Sequence, residues 1–138
     1  MDYSIINWLA VITATLASFA LGALWYSPVL FSKIWQREVG LKDEEIKSAN
    51  MAKIFGTCLV LTSFMAIGMA FLIQGHHTDE ISILSGVMHG VFIGICFVAS
   101  SIGINYLYQR KSFILWLIDA GYQVSFLALM GLILAAWR

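Results

Sequence analysis

Four stretches of this chain carry almost no charge, and each is long enough to cross a lipid bilayer. No Asp, Glu, Lys or Arg occurs in residues 3–32, 54–78 or 81–109, and residues 112–137 contain only Asp119. A hydrocarbon core is crossed by about 20 apolar residues at ~1.5 Å rise per residue. Only 12% of the residues are charged, against about a quarter in a soluble domain. Four helices apolar all round cannot be wrapped by so little polar surface. The chain is therefore read as all-α: one polytopic membrane domain over residues 1–138, built as a four-transmembrane-helix bundle. The first stretch has no basic leader segment, Asp2 being its one early charge, and its apolar run outlasts a signal peptide's. It is expected to stay in the mature protein.

The spans are placed at about residues 5–25, 54–73, 81–107 and 113–137. Pro28 biases Ser27 away from helical backbone, so the first helix should end near Trp25. Between spans 1 and 2, Leu30, Phe31, Ile34, Trp35 and Val39 recur at helical spacing, with Lys33, Gln36, Arg37 and Glu38 among them. That pattern predicts an amphipathic interfacial helix over about residues 29–39, stopped by Gly40. Asp43, Glu44 and Glu45 suit a helix N-terminus. No breaker follows them, so a helix is expected to run from there into span 2.

Lys33, Arg37, Lys42, Lys47 and Lys53 lie between spans 1 and 2, and Arg110 and Lys111 between spans 3 and 4. With four spans, both connections share one side, and the positive-inside rule makes it cytoplasmic. The expected setting is the cell inner membrane with both termini periplasmic. Trp8 and Trp137 would then mark the outer interface, and Trp25, Tyr26, Tyr106, Tyr108 and Trp116 the inner one. The lipid bilayer is the implied partner. Nucleic acid is not, since there is no basic patch or motif for it.

Helices associate in lipid through small residues that let backbones approach. Gly86, Gly90 and Gly94 recur every fourth residue in the third span, and Ala10, Ala14, Ser18 and Gly22 in the first. Thr62, Ala66 and Ala70 in the second span, with Gly121, Ser125, Ala128 and Gly131 in the fourth, continue the theme. Packing inside one subunit is the preferred reading over contact between subunits. Cys58 and Cys96 differ in depth by about 10 Å of helix rise, too far for a disulfide, and are expected as small core residues.

Asp119 is the first candidate for chemistry. An ionised carboxylate in a span costs about 2.5–3.5 kcal/mol at mid-bilayer, so it must meet protein, water or a cation. Tyr122 and Gln123 follow on the same helix face. At similar depth lie Thr57, Ser101 and Asn105, with Tyr26 and Lys53 near the boundary. One reading is a cytoplasm-facing polar pocket with Asp119 as a cation or proton site. The other, preferred, makes Asp119 structural, capping a neighbouring helix or pairing with Lys53. His89 is the histidine within a span, and an interhelical hydrogen bond is preferred to ligation. His76 and His77 beside Asp79 and Glu80 are a weak metal candidate. Thr78 and Asp79 fit better as the N-cap of the third span. No catalytic triad, zinc-protease motif or phosphate loop occurs, so neither an enzyme nor a cofactor is expected.

The run Gly22-Ala23-Leu24-Trp25-Tyr26-Ser27-Pro28, followed by Phe31 and Trp35, sits beside Asn7-Trp8 at the start of the chain. With Trp116 to Tyr122, Met130-Gly131 and Trp137, it resembles the small bacterial membrane proteins grouped as domain of unknown function 1761. The resemblance spans essentially the whole chain and implies four spans in a bacterial membrane, with no activity attached. The expected role is a non-catalytic subunit acting through self- or partner assembly, as a homo-oligomer. The alternative is an oligomeric channel or transporter for a cation, proton or small solute around Asp119.

Overall fold

The computed structural model of the chain describes residues 6–75 and 81–137. Helix α1 (Trp8–Trp25) starts where the Asn7 side chain accepts from the Leu9 and Ala10 amides, both at 3.1 Å. It ends before Pro28, and a short turn leads to α2 (Ser32–Val39). Gly40, at φ +81°, closes α2 in the left-handed conformation that glycine adopts without strain. The apolar residues of α2 are divided: Trp35 is half-buried and Ile34 exposed.

The helix expected to continue from Asp43 into span 2 is instead broken. α3 (Asp43–Ser48) stops, Ala49 is extended at φ −69°, ψ 143°, and α4 (Met51–Ile73) begins afresh. The reason is local competition for backbone groups. The Ser48 hydroxyl donates to the Glu45 carbonyl at 3.0 Å, and the Asn50 side chain accepts from the Lys53 amide at 3.0 Å. Short polar side chains favour helix ends over interiors in this way.

The third span (Ile83–Tyr108) consists of α5 (Ile83–Ile93), a π-helical segment (Gly94–Ala99) and α6 (Ser100–Tyr108). The cap described for α5 is Ser82, which accepts from the Ser85 amide at 3.1 Å. Thr78 and Asp79, expected as the cap, lie outside the described residues. The wider turn of the π segment matches the Ser100 hydroxyl, which donates back five residues to the Ile95 carbonyl at 3.0 Å. α7 (Phe113–Ala136) is capped by Ser112. α1, α4, the third span and α7 are each long and apolar enough to cross a membrane.

α7 is the central element, with α1, α4 and the third span all packed on it. Its most extensive neighbour is α5, and glycine is the cause. A Cβ at Gly86 would overlap the Gly131 carbonyl, and one at Gly90 the Leu127 carbonyl. At Gly94 it would stand 2.9 Å from the Val124 Cα, and at Gly131 it would strike the Gly86 carbonyl. The two backbones therefore touch, as small-residue packing in lipid requires.

The core lies toward one end. Ile6, Ala10, Val11 and Ala14 meet Ala66, Met69, Ala70 and Ile73 of α4 and Phe126, Leu127, Met130 and Leu134 of α7. The opposite half of α4 splays away, so every residue of Met51–Cys58 is exposed. Cys58 and Cys96 are accordingly exposed free thiols and not core residues. Among the described residues the first half of α4 is largely uncovered, and the third span is covered along one face only.

Candidate functional site

Asp119 is taken up by two phenols. The Tyr26 hydroxyl donates to Oδ1 at 2.7 Å, and the Tyr106 hydroxyl donates to Oδ2 at 2.6 Å. Both distances belong to strong, charge-assisted hydrogen bonds. Tyr26 caps the end of α1, Tyr106 lies in the last turns of α6, and Asp119 is in the second turn of α7. One carboxylate thus joins three segments. Burial, and then the carboxylate itself, push the Tyr26 phenol well above its ordinary pKa, so that it remains the donor.

Aromatic residues hold the surroundings of this triad. The Trp25 indole donates to the Ile118 carbonyl at 3.1 Å and packs at a tilt against Phe31, with ring centres 4.9 Å apart. Tyr26 stands edge-on to Trp35 of α2 at 5.7 Å and to Tyr122 of α7 at 5.2 Å. Such edge contacts are favoured by the ring quadrupole. Through Phe31 and Trp35, α2 is therefore fastened to the same place. Two glycines make the room. A Cβ at Gly121 would come 3.3 Å from the Trp25 ring, and one at Gly22 2.6 Å from the Tyr122 hydroxyl. That hydroxyl donates to the Ser18 carbonyl at 3.4 Å.

The structure assembles part of the expected pocket. Tyr26 binds Asp119 directly, and Tyr122 lies against Tyr26. Thr57, Lys53, Ser101 and Asn105 are exposed and make no hydrogen bond to Asp119. Thr57 and Lys53 are lost because α4 splays at this depth. Ser101 and Asn105 are four apart on the uncovered face of α6, whereas Ile102, Gly103 and Tyr106 form the face turned to α7. Tyr106 reads in sequence only as a boundary aromatic. Its position four residues after Ile102 is the signal that separates it from Asn105. The Gln123 carbonyl oxygen and the Ser18 hydroxyl are buried without a partner among the described residues.

A second polar junction closes the other end and carries no motif. Gln74 accepts from the Asn7 amide at 3.0 Å and donates to the Leu134 and Trp137 carbonyls at 2.8 and 3.1 Å. One buried amide side chain thus joins the start of α1 to the ends of α4 and α7. Among the described residues His89 makes no interhelical hydrogen bond. It is exposed on α5, with Nδ1 at 2.7 Å from the Ser85 carbonyl of its own helix. His76 and His77 lie outside the described residues, and among the described residues no three His, Cys, Asp or Glu side chains cluster as a metal site.

A family model described as "Protein of unknown function (DUF1761)" matches residues 9–135. The chain belongs to that family. Its matched stretch contains Tyr26, Tyr106 and Asp119 together, and the glycines along α5. Searches of curated proteins and of solved structures find no match.

Proposed function

We propose that this chain is a non-catalytic membrane subunit that acts by assembling in the bilayer, chiefly with further copies of itself. The observation that carries this reading is the closed bonding of Asp119. Both its oxygens are occupied by phenols of the same chain, so its evident work is to join helices. The outward surface points the same way. Gly56 and Gly68 of α4 are exposed with nothing within 4 Å of where a Cβ would stand. One turn to either side of Gly56 lie Ala52 and Val60, and one turn to either side of Gly68 lie Phe64 and Leu72, all exposed. Small residues on an uncovered face suit close approach of a second helix.

A second reading is an oligomeric channel or transporter for a cation, proton or small solute. The unpartnered Ser18 hydroxyl and Gln123 oxygen favour it, since buried polar atoms normally find a partner, water included. The setting in either case is an inner membrane with both termini periplasmic. Seven of the eight Lys and Arg residues (33, 37, 42, 47, 53, 110 and 111) fall in the two connections assigned to the cytoplasm.

The test is single-molecule photobleaching of labelled protein in vesicles at low protein-to-lipid ratio, alongside ion and proton flux from the same vesicles. The proposal expects multi-step bleaching that Gly56→Leu reduces, with no flux above that of empty vesicles. Single-step bleaching at every density would remove the assembly reading. Flux lost in Asp119→Asn would replace it with the transporter. A terminal reporter active only in the cytoplasm would reverse the orientation.

A further inference from the structure

An open cleft of about 370 Å³ lies between the end of α6 and the start of α7. Gly103, Tyr106, Leu107, Phe113 and Trp116 line it, together with Lys111 and Ser112 of the connection between α6 and α7. The polar atoms of these walls are already committed. The Trp116 indole donates to the Ala99 carbonyl at 2.9 Å, and the Tyr106 hydroxyl donates to Asp119. The Ser112 hydroxyl accepts from the Leu115 amide at 3.1 Å. What faces the space is therefore apolar. Phe113 and Trp116 form one aromatic wall, their rings 5.2 Å apart and inclined by 33°. The exception is Lys111, an exposed ammonium with no carboxylate partner among the described residues. Arg110 beside it is equally unpaired, whereas the nearby Glu38 has its charge met by Arg37 at 3.1 Å.

An apolar trough beside a span, with an unmet cation in its lining and a second next to it in sequence, has the polarity of a lipid. We propose that this cleft holds one anionic phospholipid, its phosphate on Lys111 and an acyl chain against Leu107, Phe113 and Trp116. A zwitterionic lipid would bring a second cation to Lys111 and Arg110, so charge complementarity selects the anionic class. A free phosphate would leave the aromatic wall uncovered. The proposal stands independently of self-assembly.

The full-length chain is purified in detergent and titrated with phosphatidylglycerol or phosphatidylcholine, and bound lipid is counted by native mass spectrometry. One phosphatidylglycerol is expected to be retained in preference to phosphatidylcholine. Lys111→Gln, a change at an exposed position that spares the fold, is expected to weaken it about fivefold, the weight of one basic residue beside an anionic headgroup. Lys47→Gln, on α3, is expected to change nothing. Equal retention of the two lipids overturns the proposal, as does an unchanged preference in Lys111→Gln. An equal loss in Lys47→Gln would assign the preference to the whole basic surface and overturn it too. Competition by inorganic phosphate would identify a free-anion site and so remove the lipid.

Discussion

Replacing Asp119 separates its shape from its charge, and the structure gives a magnitude for each. Asp119→Leu removes two charge-assisted hydrogen bonds, each worth about 1.5–3 kcal/mol net, and leaves the Tyr26 and Tyr106 hydroxyls without their acceptor. Both tyrosines are half-buried, so water recovers some of the loss, and the lower end of each range applies. About 3–4 kcal/mol of destabilisation is expected, which is large for one substitution. Asp119→Asn keeps the outline. Its carbonyl oxygen accepts from one phenol, and its amide donates to the oxygen of the other. Only charge assistance is lost, about 1 kcal/mol. The measurement is reversible unfolding in mixed micelles by SDS titration, followed by tryptophan fluorescence. Trp25 and Trp116 lie beside the site and report its loss directly. If Asp119→Leu were as stable as the unaltered chain, or no worse than Asp119→Asn, the helix-joining account of this carboxylate would be wrong.

The contact between α5 and α7 predicts opposite outcomes for two glycines. Gly90→Ala drives a methyl into the Leu127 carbonyl and should cost about 1–3 kcal/mol as overpacking, whereas Gly68→Ala meets open space and should be neutral or slightly stabilising through helix propensity. The same unfolding assay checks both, and equal effects would show that the glycine contact is unimportant. Gln74→Leu strips the partners of one amide and two carbonyls at the far junction, and should cost about 2–4 kcal/mol, with hydrogen exchange rising at the start of α1. Asn50→Ala removes the cap of α4 and should cost about 1 kcal/mol, visible as faster exchange of the Lys53 amide with little change at Gly90.

Much of the fold is legible in the chain because lipid leaves few alternatives. Stretches without charge fix the spans to within a few residues, and Pro28 and Gly40 mark the ends of α1 and α2 for backbone reasons that no tertiary contact overrides. Less legible is anything decided by competition at a helix end. The break at Ala49 turns on Ser48 and Asn50 taking up backbone groups, which apolar periodicity does not register. The site was half legible. An isolated carboxylate in a span announces itself, and its need for partners follows from desolvation. Which partners it takes depends on azimuth and helix divergence. Thr57 is at the right depth but on a helix that has already splayed away. Asn105 is at the right depth on the right helix but on the uncovered face, and Tyr106, one residue further, has the reach and direction. Gln74 was invisible for another reason. A glutamine ending an apolar run looks like a boundary residue until the ends of two other helices are brought to it.

The distribution of polar junctions bears on how such a protein could assemble. Hydrophobic burial drives little between helices already in lipid, so close packing and interhelical hydrogen bonds carry the association. α7 has both along its whole length: the carboxylate and two phenols at one end, Gln74 at the other, and backbone contact with α5 between. α1 is bonded to it at both ends, through Tyr26 and through the Asn7 amide held by Gln74. α4 differs. It is tied by Gln74 and the Ala66–Ile73 core at one end, while toward the other its recorded ring contact is Phe55 against Phe19 at 6.0 Å. An incoming helix at the splayed half of α4 would displace lipid and break none of the polar junctions that hold the rest. α1, the third span and α7 form the fixed frame, and α4 is the element on which assembly costs the chain least.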